Sequence, residues 1–147
     1  KPGSKRFFGI SVGVSIALVN LLRPLLPFLA GNPVTRTLLL PQFTPRPWAV
    51  GKATVLPELQ GFTAPGTKPA FRALSKGPDQ EGAAPGQVKE PMLLVWGRRD
   101  YVTPVSQAKV AQERFPDAEI RVLDRCGHFP HWDLPEETTR LILDHVG

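Results

Sequence analysis

Pro91-Met-Leu-Leu-Val-Trp-Gly-Arg-Arg-Asp-Tyr-Val-Thr-Pro104 is the stretch on which the reading of the fold turns. Met92 to Trp96 form an apolar run without polar interruption, the pattern of a parallel strand buried on both faces, and Gly97 punctuates it. Asp100 follows just past the strand end. Thr103-Pro104 reads as an N-cap and a first-turn proline, after which Val105, Ala108, Ala111 and Phe115 recur at helical spacing until Pro116. A second strand is expected over Ala118–Leu123, and Gly127-His128-Phe129-Pro130 comes beyond it. Parallel strands joined by a crossover helix are usually neighbours, about 4.8 Å apart. Their C-terminal ends therefore bring Asp100 to His128, and a carboxylate faces an imidazole.

These residues resemble the end of the α/β-hydrolase superfamily. In that family a run like Leu-Val-Trp-Gly-Arg-Arg-Asp-Tyr-Val-Thr-Pro carries the triad acid. A run like Gly-His-Phe-Pro-His-Trp-Asp-Leu-Pro-Glu-Glu carries the triad histidine one strand-helix unit later, with the serine upstream of both. The likeness is specific over residues 91–147 and looser before them. It implies an α/β fold class: the C-terminal part of an α/β-hydrolase fold, its last two parallel strands with flanking helices, preceded by a mostly helical lid. It also implies hydrolysis of an ester or related bond in a small-molecule substrate, through an acyl-enzyme and without cofactor or metal. Asp100 and His128 are the catalytic residues so implied. His128 would take the serine proton and return it to the leaving group, and Asp100 would orient the ring and stabilise the imidazolium. The same scaffold also hosts non-enzymes, so a catalytically silent fragment or binding module is the alternative.

The 147 residues are enough for one domain, whereas this fold usually needs roughly 250. With Lys rather than Met at position 1, the expectation is a part of a fold whose nucleophile lies outside the chain. A single cysteine, Cys126, excludes an internal disulfide, and no Cys/His cluster has metal-ligand spacing. Cys126 reads as a small buried hydrophobe. The net charge of +5 is scattered, with Lys5-Arg6 and Arg98-Arg99 as isolated pairs and no basic helix face, so a nucleic-acid partner is not expected. A cytoplasmic location is expected.

Residues 1–90 read as a lid with its return linker, and 91–147 as the α/β core. Most of the 17 prolines precede residue 91, where they favour short helical pieces over a regular sheet. Three readings fit the apolar N-terminal segment. A basic start before Phe7–Leu22 suits a signal or anchor, but Asn20, Arg23, Pro24 and Pro27 interrupt a span of about 20 residues. Gly9-Ile10-Ser11-Val12-Gly13 matches G-x-S-x-G, the elbow that presents a serine nucleophile on a strained strand-to-helix turn, yet only Phe7-Phe8 stand where a buried strand should precede it. The third reading makes residues 9–30 the first lid helix. The downstream segments agree with it: Leu38-Leu39-Leu40, a Pro-rich turn over Pro41–Trp48, then Val55–Phe62 and Phe71–Leu74 as short helices. Residues 75–90, with three glycines and two prolines, read as a mobile connection back to the core.

Asp124 and Asp133 are rival acids. Asp124 lies four residues before His128 on the same strand end, and Asp133 reads as the N-cap of a closing helix, with Glu136 three positions on as in a capping box. Leu134, Thr138, Leu141, Ile142 and His145 then share one helical face. His131 reads as a loop residue at the pocket rim, Arg98 and Arg99 as solvent-facing, with a shield for Asp100 as the alternative for Arg99, and Trp96 and Trp132 as core or pocket wall. A two-strand core also leaves an open sheet edge, so self-association through that edge is expected.

Overall fold

In a computed structural model, which describes residues 2–78 and 81–147, the chain divides into two compact units. The N-terminal unit comprises residues 1–39 and 47–79, the C-terminal unit residues 40–46 and 80–147.

The N-terminal unit is helical throughout. Helix α1 spans Pro2–Leu21, α2 Leu26–Gly31, α3 Pro33–Leu39, α4 Lys52–Gly61 and α5 Thr67–Lys76. A 3-10 turn, Arg23–Leu25, joins α1 to α2, because Pro24 and Pro27 lack the amide hydrogens that would carry α1 onward. The helical pieces expected after residue 38 are there, with α4 beginning three residues earlier than Val55. Val12, Ile16 and Val19 bury one face of α1, and Leu26, Ala30, Val55 and Leu59 supply α2 and α4. Gly9 to Gly13 lie inside α1, so no strand-turn-helix surrounds Ser11. Arg36 is a feature that local pattern does not announce. It is buried, and its guanidinium donates to the carbonyls of Ala30 (2.7 Å), Trp48 (3.0 Å) and Pro47 (3.4 Å), joining the end of α2 to the chain beyond α3. No single helix among the described residues is long and apolar enough to cross a membrane; Phe8–Leu21 and Arg23–Gly31 are bent by 70° to each other.

The C-terminal unit keeps the expected order. Strand β1 spans Leu93–Gly97, α6 Ser106–Arg114, β2 Glu119–Leu123, α7 Pro130–Asp133 and α8 Pro135–Val146. β1 and β2 are parallel, with Leu93 opposite Glu119 and Gly97 opposite Leu123. The sheet has two strands, so Leu93 to Trp96 are only half-buried where their apolar run reads as fully buried. Leu40, Phe43, Val102, Leu123, Cys126 and Trp132 form the core.

Four local expectations are corrected. Residues 40–46, which read as a lid turn, belong to this unit: the Phe43 carbonyl accepts the His128 amide at 2.7 Å. The return segment is held rather than loose over 82–87, where the Ala83 amide donates to the Arg114 carbonyl (2.8 Å) and the Gly86 amide to Asp117 (2.6 Å); residues 79 and 80 lie outside the described residues. α6 begins at Ser106 with no side-chain cap, because the Thr103 hydroxyl is engaged elsewhere. α8 likewise starts without a capping box, since the Asp133 carboxylate points into the core. Of the face foreseen for α8, Leu134, Thr138, Leu141 and His145 turn inward, and His145 Nε2 donates to the Pro91 carbonyl (3.1 Å); Ile142 is exposed.

Candidate active site

The turn after β1 and the loop after β2 are hydrogen-bonded side by side. Arg98 and Arg99 donate their amides to the carbonyls of Leu123 and Cys126, both at 2.9 Å. Two close backbone approaches here need glycine, one between the turn and the loop and one between the loop and residues 43–44. A Cβ on Gly97 would sit 1.9 Å from the Gly127 carbonyl oxygen, and one on Gly127 would sit 2.4 Å from that of Phe43. These approaches fix where the two strand ends point.

Asp100 leaves β1 in an Asx turn. Its Oδ1 accepts the amides of Val102 and Thr103, both at 2.8 Å, and its Oδ2 accepts the Thr103 hydroxyl at 2.7 Å. The Trp96 indole donates to the Thr103 carbonyl at 2.8 Å and ties this turn back to its strand. Across the gap, His128 Nδ1 lies 2.9 Å from Asp100 Oδ2. The Asp100 side chain is 5% exposed and that of His128 29%, so the carboxylate is enclosed while the ring is partly exposed. Phe129 packs edge-on to the imidazole at 4.9 Å, and Phe43 lies 6.4 Å away on a tilted plane.

Burial is the largest influence on the Asp100 carboxyl and pushes its pKa up. The hydrogen bonds from His128, the Thr103 hydroxyl and the Thr103 amide, with the positive charge His128 can carry, outweigh burial and leave the pKa below the usual carboxylate value. An ionised Asp100 Oδ2 requires a proton on His128 Nδ1, which leaves Nε2 as the lone-pair nitrogen. This is the tautomer a general base needs.

The two predicted site residues are thus brought together, and the rivals are elsewhere. Asp124 is exposed and pairs with Arg98, itself largely exposed. Asp133 is buried, its Oδ2 accepting the Gly127 amide at 2.7 Å and its Oδ1 the Thr44 hydroxyl, while its carbonyl accepts Arg46 at 2.6 Å. It braces the residue beside His128 and does not cap α8. His131 is exposed and sits in α7, its ring against Phe129 and Trp132. Cys126 is fully buried; burial first, then the charges of Asp133, Asp100 and Glu137, push its thiol up to about 12, which keeps it protonated and unreactive.

Thr103, Thr44 and Phe43 are contributors that sequence reasoning missed. The signal for Thr103 was present, since an Asp followed two and three residues later by free amides is the spacing of an Asx turn. Nothing local marks Thr44 or Phe43, whose partners lie more than 80 residues on.

No family model matches the chain. Over 61 residues, 42% of its length, it is 33% identical to 2-hydroxy-6-oxononadienedioate/2-hydroxy-6-oxononatrienedioate hydrolase 1 of Dechloromonas aromatica, of which 21% is covered. It is 36% identical over 61 residues, again 42% of this chain and 21% of the relative, to 2-hydroxy-6-oxo-6-phenylhexa-2,4-dienoate hydrolase of Burkholderia cepacia. It is 33% identical over 60 residues to the mouse monoacylglycerol lipase ABHD6, covering 41% of this chain and 18% of the relative. The chain spans about a fifth of the length of the curated relatives it matches. Those relatives are hydrolases, and across that matched 42% this chain is homologous to members of the α/β-hydrolase family, its parallel strand pair and flanking helices forming a C-terminal portion of that fold.

Proposed function

We propose that Asp100 and His128 are the acid and base of a Ser-His-Asp hydrolase that cleaves an ester or related acyl bond in a small molecule. The observation that carries this reading is the 2.9 Å contact between His128 Nδ1 and an enclosed, hydrogen-bonded Asp100, with the His128 side chain still partly exposed. In the reaction His128 Nε2 takes the serine proton as the hydroxyl attacks the acyl carbon, then protonates the leaving group. Asp100 stabilises the imidazolium formed between those steps. In this reading the nucleophile lies outside this sequence, and two features support it: Ser11 is interior to a helix, and Ser106, the one serine in residues 81–147, opens α6 on the surface. The N-terminal helices act as the lid, and the open edge of β1 receives further strands, or a second copy in their absence.

Two experiments test this. In the first, residues 91–147 replace the matching segment of the Dechloromonas aromatica relative, and the chimera is assayed with nitrophenyl esters. Hydrolysis falls by about a thousandfold in folded His128→Ala and Asp100→Ala versions; undiminished hydrolysis in either sinks the reading. In the second, the unaltered chain is exposed to a fluorophosphonate serine probe. No adduct is expected, and an adduct at Ser11 that is lost in His128→Ala would move the nucleophile inside the chain. The helical setting of Ser11 also favours, as a second reading, a chain that keeps acid and base without catalysing by itself.

A further inference from the structure

The N-terminal unit holds an open groove of about 500 Å3 between α1 and α5. Its floor is apolar, made by Gly13, Ile16 and Ala17 of α1 and Phe71 of α5, and Phe8 packs on Phe71 at 6.0 Å between ring centres. Its wall is cationic. Lys68, Arg72 and Lys76 stand four residues apart on α5, one stripe along the groove. The volume is in the range of small-molecule sites.

Two features of this groove have no structural purpose within the unit. Like charges at i, i+4 weaken a helix unless a counter-charge offsets them, and among the described residues none of the three cations has a carboxylate partner. The unit carries nine Lys and Arg against two acids, Glu58 and Asp79, and of these acids only Glu58 is among the described residues. Gly13 is the second. A Cβ there would meet the Phe71 ring at 3.5 Å, an ordinary contact, so packing does not demand glycine and its effect is to widen the floor. The other polar groups at the groove are already engaged. The Asn20 amide donates to the carbonyls of Ile16 (2.8 Å) and Phe62 (3.2 Å), and the Ser75 hydroxyl to that of Phe71 (2.7 Å).

We propose that this groove binds an amphipathic anion of the fatty-carboxylate class, its chain on Gly13, Ile16, Ala17 and Phe71 and its head group on Lys68, Arg72 and Lys76. An apolar floor beside three cations without carboxylate partners among the described residues matches an anionic head on a hydrocarbon tail. With Asn20 and Ser75 committed to backbone carbonyls, the groove suits a sugar or a base poorly. Hydrogen bonds from the cationic wall to an anionic head would be charge-assisted, and the apolar floor would take the chain out of water. This site is read from the N-terminal unit alone, so its failure would leave the reading of Asp100 and His128 untouched.

The test uses the full chain and a fluorescent fatty-acid probe, displaced by laurate, dodecanol or dodecyltrimethylammonium below their micelle concentrations. Laurate displaces the probe, dodecanol does so at least about tenfold more weakly, and the ammonium does not compete. The variant Lys68→Glu/Arg72→Glu/Lys76→Glu loses at least about tenfold in laurate affinity with its helical circular dichroism retained. Should that variant not fold, Ala17→Trp, at an exposed floor position, serves the same purpose by filling the groove and abolishing displacement. Equal affinity for laurate and dodecanol, or unchanged laurate binding in either folded variant, would overturn the proposal. Binding to phosphatidylglycerol vesicles with no binding of monomeric laurate would overturn it too, by making the cations a membrane contact.

Discussion

Asp100 and Asp133 are two buried aspartates of one unit, 6% and 5% exposed, and they do different work. Each accepts backbone amide and threonine hydroxyl donors: Asp100 two amides and a hydroxyl from its own turn, Asp133 an amide from Gly127 and a hydroxyl from Thr44 on a distant segment. Burial does not separate them. What separates them is the kind of donor that Asp100 adds. Asp100 has an imidazole on Oδ2, while the donors to the Asp133 carboxylate are an amide and a hydroxyl that do not titrate in the working range of a protein. A carboxylate whose donors cannot change protonation is a brace. One whose donor is a partly exposed histidine can pass a proton.

The largest expected effect lies at the close backbone approach on which both aspartates depend. Gly127→Ala puts a methyl group inside van der Waals contact of the Phe43 carbonyl, and we expect a loss of several kcal/mol, enough to unfold the C-terminal unit in a urea titration followed by Trp96 and Trp132 fluorescence. A folded Gly127→Ala protein of unchanged stability would mean that the loop can move away from the Phe43 carbonyl at little cost.

Next is Asp133→Ala, which strands the Gly127 amide and the Thr44 hydroxyl in the core. About 2–4 kcal/mol should be lost in the same titration. Asp100→Asn keeps the shape and two acceptor positions and should cost less, about 1–2 kcal/mol at pH 7. The contrast sharpens with pH. Because folding lowers the Asp100 pKa, the stability it contributes is fully present above the ordinary value of 3.8 and is lost as pH falls through the folded-state value. The difference between the parent chain and Asp100→Asn should therefore shrink as pH falls below about 4. A gap that instead widened below about pH 4 would mean that burial, not the hydrogen bonds, dominates at Asp100.

The smallest effect is expected at the third candidate acid. Asp124→Asn breaks only an exposed pair with Arg98 and should change stability by less than about 0.5 kcal/mol. A larger change would place Asp124 inside the network from which its exposure separates it.

What the sequence makes legible is whatever short-range pattern dictates. The apolar run at Met92–Trp96, the helix ending before Pro116 and the second strand are local signals, and the handedness and adjacency of a strand-helix-strand unit carry Asp100 to His128 without further information. Most of the errors share a cause. Thr103 and Asp133 look like helix caps because a cap is the commonest local use of such residues, but the Thr103 hydroxyl serves the Asx turn of Asp100, a local alternative, and tertiary contacts with Gly127 and Thr44 claimed the Asp133 carboxylate. Phe43 and Thr44 read as part of a Pro-rich turn, because nothing within ten residues shows that their partners lie at Gly127, His128 and Asp133. Arg36 is a further case, a buried cation held by carbonyls of backbone that no periodicity places. Residues chosen by their neighbours in sequence can be read from sequence, and residues chosen by their neighbours in space cannot.

Whether Asp100 makes His128 a base can be read from the nitrogen-15 NMR spectrum of the His128 ring at neutral pH, in the parent chain and in Asp100→Asn and Asp133→Asn. A proton on Nδ1 and a lone pair on Nε2 are expected for the uncharged form of the ring in the parent and in Asp133→Asn, with the reverse tautomer in Asp100→Asn, where an amide can donate to Nδ1. An uncharged parent ring protonated at Nε2, or a spectrum indifferent to Asp100→Asn, would refute the assignment of Asp100 as the group that sets the tautomer of His128.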